Sequence, residues 1–164
     1  MIEMKVAGIA LDAMTRSPIV LLKDSTDRRA LPIYIGQEQA RAIMGALENQ
    51  KPPRPLTHDL IVNMFTAWNM TLEKVIIHSL QKDTFYAVLI VQQGEVKQEI
   101  DARPSDAIAI ALRTNTPIWV MEEVVADASI PVDRDADEAE QEAFREFLSD
   151  LRPEDLIKRF SSDS

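Results

Sequence analysis

The chain has 164 residues, 46% of them hydrophobic, enough for one domain with a proper core and at most a short appendage. It contains no cysteine, which excludes a disulfide framework, thiolate-bound zinc, thiol catalysis and thiol redox switching. The net charge of −9 argues against a broadly basic nucleic-acid surface, yet residues 1–120 carry 13 basic and 13 acidic side chains, so all the excess acid lies in 121–164.

The opening Met1-Ile2-Glu3-Met4-Lys5 lacks the layout of a signal peptide, and no apolar run approaches the roughly 20 residues that span a bilayer. A cytoplasmic protein without membrane contact is expected. Residues 2–11 begin with alternation and become continuously apolar, as a strand running from a sheet edge into a core would. Pro18 precedes a short buried strand at Ile19–Leu22, and the polar cluster Lys23–Arg29 reads as a hairpin turn. Leu31–Ile35 follows as a strand in which Pro32 points to an edge, and Gly36 ends it. Glu38–Leu47 has helical spacing, with Ala40, Ile43, Met44 and Leu47 on one face. Lys51-Pro52-Pro53-Arg54-Pro55 is a stiff connector that cannot be helical.

The next helix places Leu56, Leu60, Ile61, Met64, Phe65 and Trp68 on one stripe, which reads as core packing. Val75–Leu80, Thr84–Val91 and Glu95–Asp101 are strands with short joints, an antiparallel meander whose last member has one wet face. The helix from Ala107 to Arg113 is apolar around most of its circumference and belongs in the middle of the fold. Pro117–Val120 is a further short strand. Asp133–Asp150 is charged, with a narrow apolar stripe at Ala139, Ala143, Phe144, Phe147 and Leu148, and Pro153 opens a last short helix. The fold class is therefore α+β, a mixed but largely antiparallel sheet with a central buried helix, flanking helices and acidic C-terminal helices. Residues 1–130 form the main domain, and 131–164 an acidic helical extension on or beside it.

Two helix openings carry the candidate chemistry, Arg54-Pro55-Leu56-Thr57-His58-Asp59 and Arg103-Pro104-Ser105-Asp106. A helix start presents free N–H groups and partial positive charge, and an arginine beside it makes a phosphate site. Pro104 at the first helical position puts Arg103 at the cap, where Ser, Thr, Asp or Asn is preferred. The alternative moves the cap to Ser105 and leaves Arg103 to pair with Asp101 or Asp106. At the first opening Thr57 is the expected cap. His58, one of two histidines, has an adjacent carboxylate and a nearby arginine, the set used for general-base work on phosphate esters. Sequence neighbours on a helix point about 100° apart, so the carboxylate that orients His58 is Asp59, or Asp106 or Glu38 from across the fold. His78, the other histidine, reads as a sheet residue.

With both motifs in hand the chain resembles the bifunctional nuclease domain family, its bacterial stand-alone members most closely. Leu31-Pro32-Ile33-Tyr34-Ile35-Gly36, Val75–Leu80 with Thr84–Ala87, and Phe147-Leu148 through Arg152-Pro153-Glu154-Asp155 support this in order along nearly the whole chain. The resemblance implies an α+β fold, action on RNA and DNA, and a homo-oligomer. On that basis the expected function is a nuclease-like phosphodiesterase. Its catalytic candidates are His58, Asp59 and Asp106, and its phosphate-binding candidates Arg54, Arg103 and Ser105. The cofactor is unknown, a divalent cation held by Asp59, Asp106 and Glu38 being one possibility. The alternatives are a non-catalytic homo-oligomeric domain that binds an anion or a protein, and a small-molecule phosphohydrolase or nucleotide-binding regulator using the same anion sites.

Overall fold

In the computed structural model, residues 1–132 are described; the expected C-terminal helices, and with them nearly all of the proposed extension, lie outside those residues. β1 (Ile2–Leu11), β2 (Pro18–Asp24) and β3 (Arg29–Tyr34) form an antiparallel meander. α1 (Gln37–Leu47) and α2 (Thr57–Ala67) follow, then a second meander of β4 (Thr71–Gln81), β5 (Thr84–Gln93) and β6 (Val96–Ala102). α3 (Pro104–Thr114) leads to β7 (Ile118–Val120), α4 (Glu122–Ala128) and β8 (Ile130–Pro131). One eight-stranded sheet results, ordered β6-β5-β4-β7-β1-β2-β3-β8. β7 joins the two meanders, antiparallel to β1 and parallel to β4.

The all-round apolar helix behaves as its composition dictates. Ala107, Ile108, Ala109, Ile110 and Ala111 are buried, and α3 packs against α1, α2, β4 and β5. From the sheet, Val75, Ile77, Ala87 and Leu89 join that core at alternate positions. Asn115 ends α3 in the left-handed conformation (φ 55°), which asparagine tolerates better than most residues.

Several sequence expectations need correction. β1 is interior, flanked by β7 and β2; among the described residues the sheet ends at β6, exposed from Val96 through Asp101, and at the short β8, which pairs only with Arg29 and Ala30 of β3, leaving the Pro32 stretch without an outer strand. The apolar positions Val96 and Ile100 of β6 are therefore open to solvent as well as its charged ones. Lys23 and Arg29 pair within strands, and the turn narrows to the residues between β2 and β3, where the Asp24 carboxylate accepts the N–H groups of Arg28 and Arg29. α4 and β8 were not anticipated, since seven and two residues are too short for a periodic signal.

The largest departure concerns α2. Of its apolar stripe only Phe65 is buried and Ile61 half-buried, while Leu56 (43%), Leu60 (54%), Met64 (53%) and Trp68 (67%) are exposed. α2 leans on α3 and β4 with one edge, and the face repeating every four residues points outward. Because Ile108 is sealed inside, Ile108→Ala should cost about 2–5 kcal/mol and lower the urea midpoint measured by circular dichroism.

Candidate functional site

The Pro-rich connector delivers the chain into α2 at Leu56, whose extended conformation (φ −82°, ψ 178°) makes it the cap in place of Thr57. Leucine offers no acceptor there. Asp59 substitutes from the third helical position, its Oδ2 accepting the Leu56 N–H at 2.9 Å. α3 opens with Arg103 at the cap (φ −68°, ψ 142°) and Pro104 in the first helical position. The unusual cap residue has a partner one turn on: Arg103 Nε donates to Asp106 Oδ2 at 2.8 Å, and a terminal guanidinium nitrogen reaches the same oxygen at 2.8 Å.

Asp106 also reaches the other opening, 48 residues earlier in the chain. His58 Nε2 donates to Asp106 Oδ1 at 2.8 Å, so one carboxylate binds imidazole on one oxygen and guanidinium on the other. This hydrogen bond selects the tautomer with a proton on Nε2 and leaves Nδ1, which has no partner among the described residues, as the proton-accepting nitrogen. Of the carboxylates considered for orienting His58, Asp106 is the one that does so. The imidazole is buried, whereas the Arg103 side chain remains 68% exposed.

Asp59 turns the other way, as adjacent helical residues must. Its Oδ1 accepts from Arg113 Nε at 2.8 Å, and Arg113 also donates to the Ala109 carbonyl at 2.8 Å. Burial pushes the Asp59 carboxyl up. The Leu56 N–H, the Arg113 hydrogen bond and charge, and the nearby His58 together outweigh that and hold it below the usual carboxylate range.

A cleft of about 930 Å³ lies where α1, α2, α3 and the β5–β6 pair meet. Glu38, Arg41, His58, Asp101, Arg103 and Asp106 supply its polar border. Ile61, Phe65, Leu89, Ile100, Ala102 and Ile110 supply its apolar wall. The two openings thus share one water-accessible cleft through His58, Arg103 and Asp106. Three of the residues singled out from sequence do not border it: Arg54 is exposed on the connector, Ser105 is buried in α3's first turn, and Asp59 is engaged by Arg113. With Asp59 and Asp106 committed to cationic partners, no group of three or more His, Asp or Glu side chains able to hold a metal forms among the described residues. Sequence reasoning missed Arg113, whose partner is 54 residues away, and Arg41, one charge on the outer face of an amphipathic helix.

His78 is half-buried in β4, with Nδ1 3.0 Å from Ser79 Oγ and its ring against Tyr86 at 6.4 Å. It plays no part in the cleft.

The Asp59–Arg113 pair makes a pH prediction. Because the folded Asp59 carboxyl titrates below its unfolded value of about 3.9, its stabilisation is fully present above that pH and fades as pH falls through the folded value. Asp59→Asn should melt lower than the parent chain at neutral pH, and the gap should close on acidification below about pH 4.

The model of the bifunctional nuclease domain matches residues 20–133. An uncharacterized protein of Mycobacterium tuberculosis is 43% identical over 94% of this chain and 97% of its own length. Bifunctional nuclease 1 of Oryza sativa subsp. indica is 27% identical over 74% of this chain, and bifunctional nuclease 2 of Arabidopsis thaliana 28% identical over 63%. The matched parts are 38% and 32% of those plant proteins. On the extent of the domain match, the chain belongs to the bifunctional nuclease domain family.

Proposed function

We propose that this protein is a phosphodiesterase that cleaves RNA or DNA in the cleft between α1, α2 and α3. The observation that carries the reading is the Asp106 bridge, which fixes His58 at 2.8 Å on one oxygen and Arg103 at 2.8 Å on the other, at the border of an open cleft. In this scheme Asp106 holds the imidazole so that Nδ1 takes a proton from the attacking water. As the water oxygen bonds to phosphorus and the P–O ester bond breaks, charge gathers on the non-bridging oxygens, where the Arg103 guanidinium stabilises it, and the departing alkoxide takes up a proton from solvent. Arg41 takes the second phosphate-binding place first assigned to Arg54, because it borders the cleft and Arg54 does not.

The competing reading is a non-catalytic anion- or protein-binding domain, in which both ion pairs only fasten α2 to α3. The Asp59–Arg113 pair, at 26% and 12% side-chain exposure, is the observation that favours it. Cleavage by a folded variant separates the two readings. Arg103 is so exposed that Arg103→Ala should change stability by no more than about 1 kcal/mol. The same substitution should lower oligonucleotide cleavage by about 10²–10³-fold. Cleavage at the parent rate by a folded Arg103→Ala protein would remove this mechanism.

The expected homo-oligomer requires apolar surface or a strand edge that one chain leaves uncovered. Support now comes from the exposed Leu56, Leu60, Met64 and Trp68 ridge and from the unpaired edge of β6. We place the homo-oligomer contact on that ridge. Light scattering should give a multiple of the chain mass for the parent protein and the monomer mass for Met64→Glu. Among the described residues no helix is long and apolar enough to cross a membrane.

A further inference from the structure

The wall of the cleft is more apolar than a phosphate site requires. Beside the His58–Asp106–Arg103 bridge lies a surface made by Ile61 and Phe65 of α2, Leu89 of β5 and Ile100 of β6. Ile100, in the edge strand β6, is 40% exposed. The volume, about 930 Å³, suits a bound small molecule or a nucleotide.

Charge decides between a duplex and a separated strand. A protein that grips duplex DNA by its backbone commonly neutralises 6–10 phosphates. The cleft border offers two guanidiniums, Arg41 and Arg103, and sets Glu38 and Asp101 beside them. Residues 1–120 have no net positive charge to add. Backbone attraction is thus too weak to hold a duplex, and the missing affinity must come from apolar contact. A base stacked within a helix cannot offer its face to such a wall, whereas an unpaired base can.

Resting on the nuclease reading above, we infer that the substrate is single-stranded nucleic acid, with one unstacked base seated against Ile61, Phe65 and Ile100 while Arg41 and Arg103 hold its flanking phosphates. Ile100 then acts as a specificity-determining residue, and Arg41 as a phosphate contact outside both Arg-Pro motifs.

The test pairs binding with cleavage. Fluorescence anisotropy and cleavage are measured on a single-stranded oligonucleotide, the matched duplex, the same strand with abasic positions, and a mononucleotide. Single strands should bind and be cut at least about 10-fold better than duplex, with a salt slope of about −1.4 in log–log form for two phosphate contacts. Abasic positions and Ile100→Asp should each erase the preference, and Ile100→Leu should keep it. The exposed position makes Ile100→Asp a folded control, checked by circular dichroism. Equal cleavage of duplex and single strand would overturn the base seat and leave the nuclease reading intact. Single-strand binding that Ile100→Asp abolishes, with no cleavage of any substrate, would keep the base seat and overturn the nuclease reading. A mononucleotide bound as tightly as the strand, or a salt slope steeper than about −5, would overturn the strand inference.

Discussion

Everything at the cleft depends on the burial of α3. A helix enclosed from Ala107 to Ala111 has no freedom to rotate, so the two charged side chains at its ends are fixed in direction as firmly as its isoleucines. Asp106 emerges at one end and Arg113 at the other, seven residues or roughly 10 Å along the axis. α2 has little buried surface of its own, yet its first turn is held at both points by His58 and Asp59. The histidine is therefore positioned by a rigid core element and not by the proline connector that precedes it.

The same arrangement explains how an acidic protein can present an exposed guanidinium. Asp106 carries one negative charge shared between a buried imidazole and an exposed arginine, so Arg103 is anchored at its Nε while most of its surface remains in water. The proline behind it fixes the backbone where the cap residue turns outward, and no side-chain acceptor occupies the helix start. An incoming anion meets a charge already oriented, so less freedom is lost on binding.

Much of this was legible in the residues. Alternation located the strands, and a helix apolar on nearly every side could only be central. The second Arg-Pro opening stood out because Arg103 stands at a cap where Ser, Thr, Asp or Asn is preferred, and the first because His58 lies between an arginine and a carboxylate. Periodicity failed at α2 for a physical reason: it shows that Leu56, Leu60, Met64 and Trp68 share a face, and says nothing about whether one chain covers that face. Long-range pairing was equally hidden. Asp59 and Arg113 each look like ordinary helix-end charges, correctly placed for the dipole, and only the crossing of α2 over α3 makes them partners. Arg54 was singled out by its nearness in sequence to His58, and it is the neighbouring Pro55, Leu56 and Thr57 that line the cleft.

β7 is three residues long, and among the described residues it is the strand that links the two meanders, pairing Ile118–Val120 with Ile2–Met4 on one side and Val75–Ile77 on the other. Each meander can form from local contacts, but the join between them closes a loop of more than a hundred residues. During synthesis the N-terminal strand must therefore wait, with one margin unpaired, until nearly all of the domain has left the ribosome. That interval, and not the finished molecule, is when the chain is most open to pairing with the wrong neighbour.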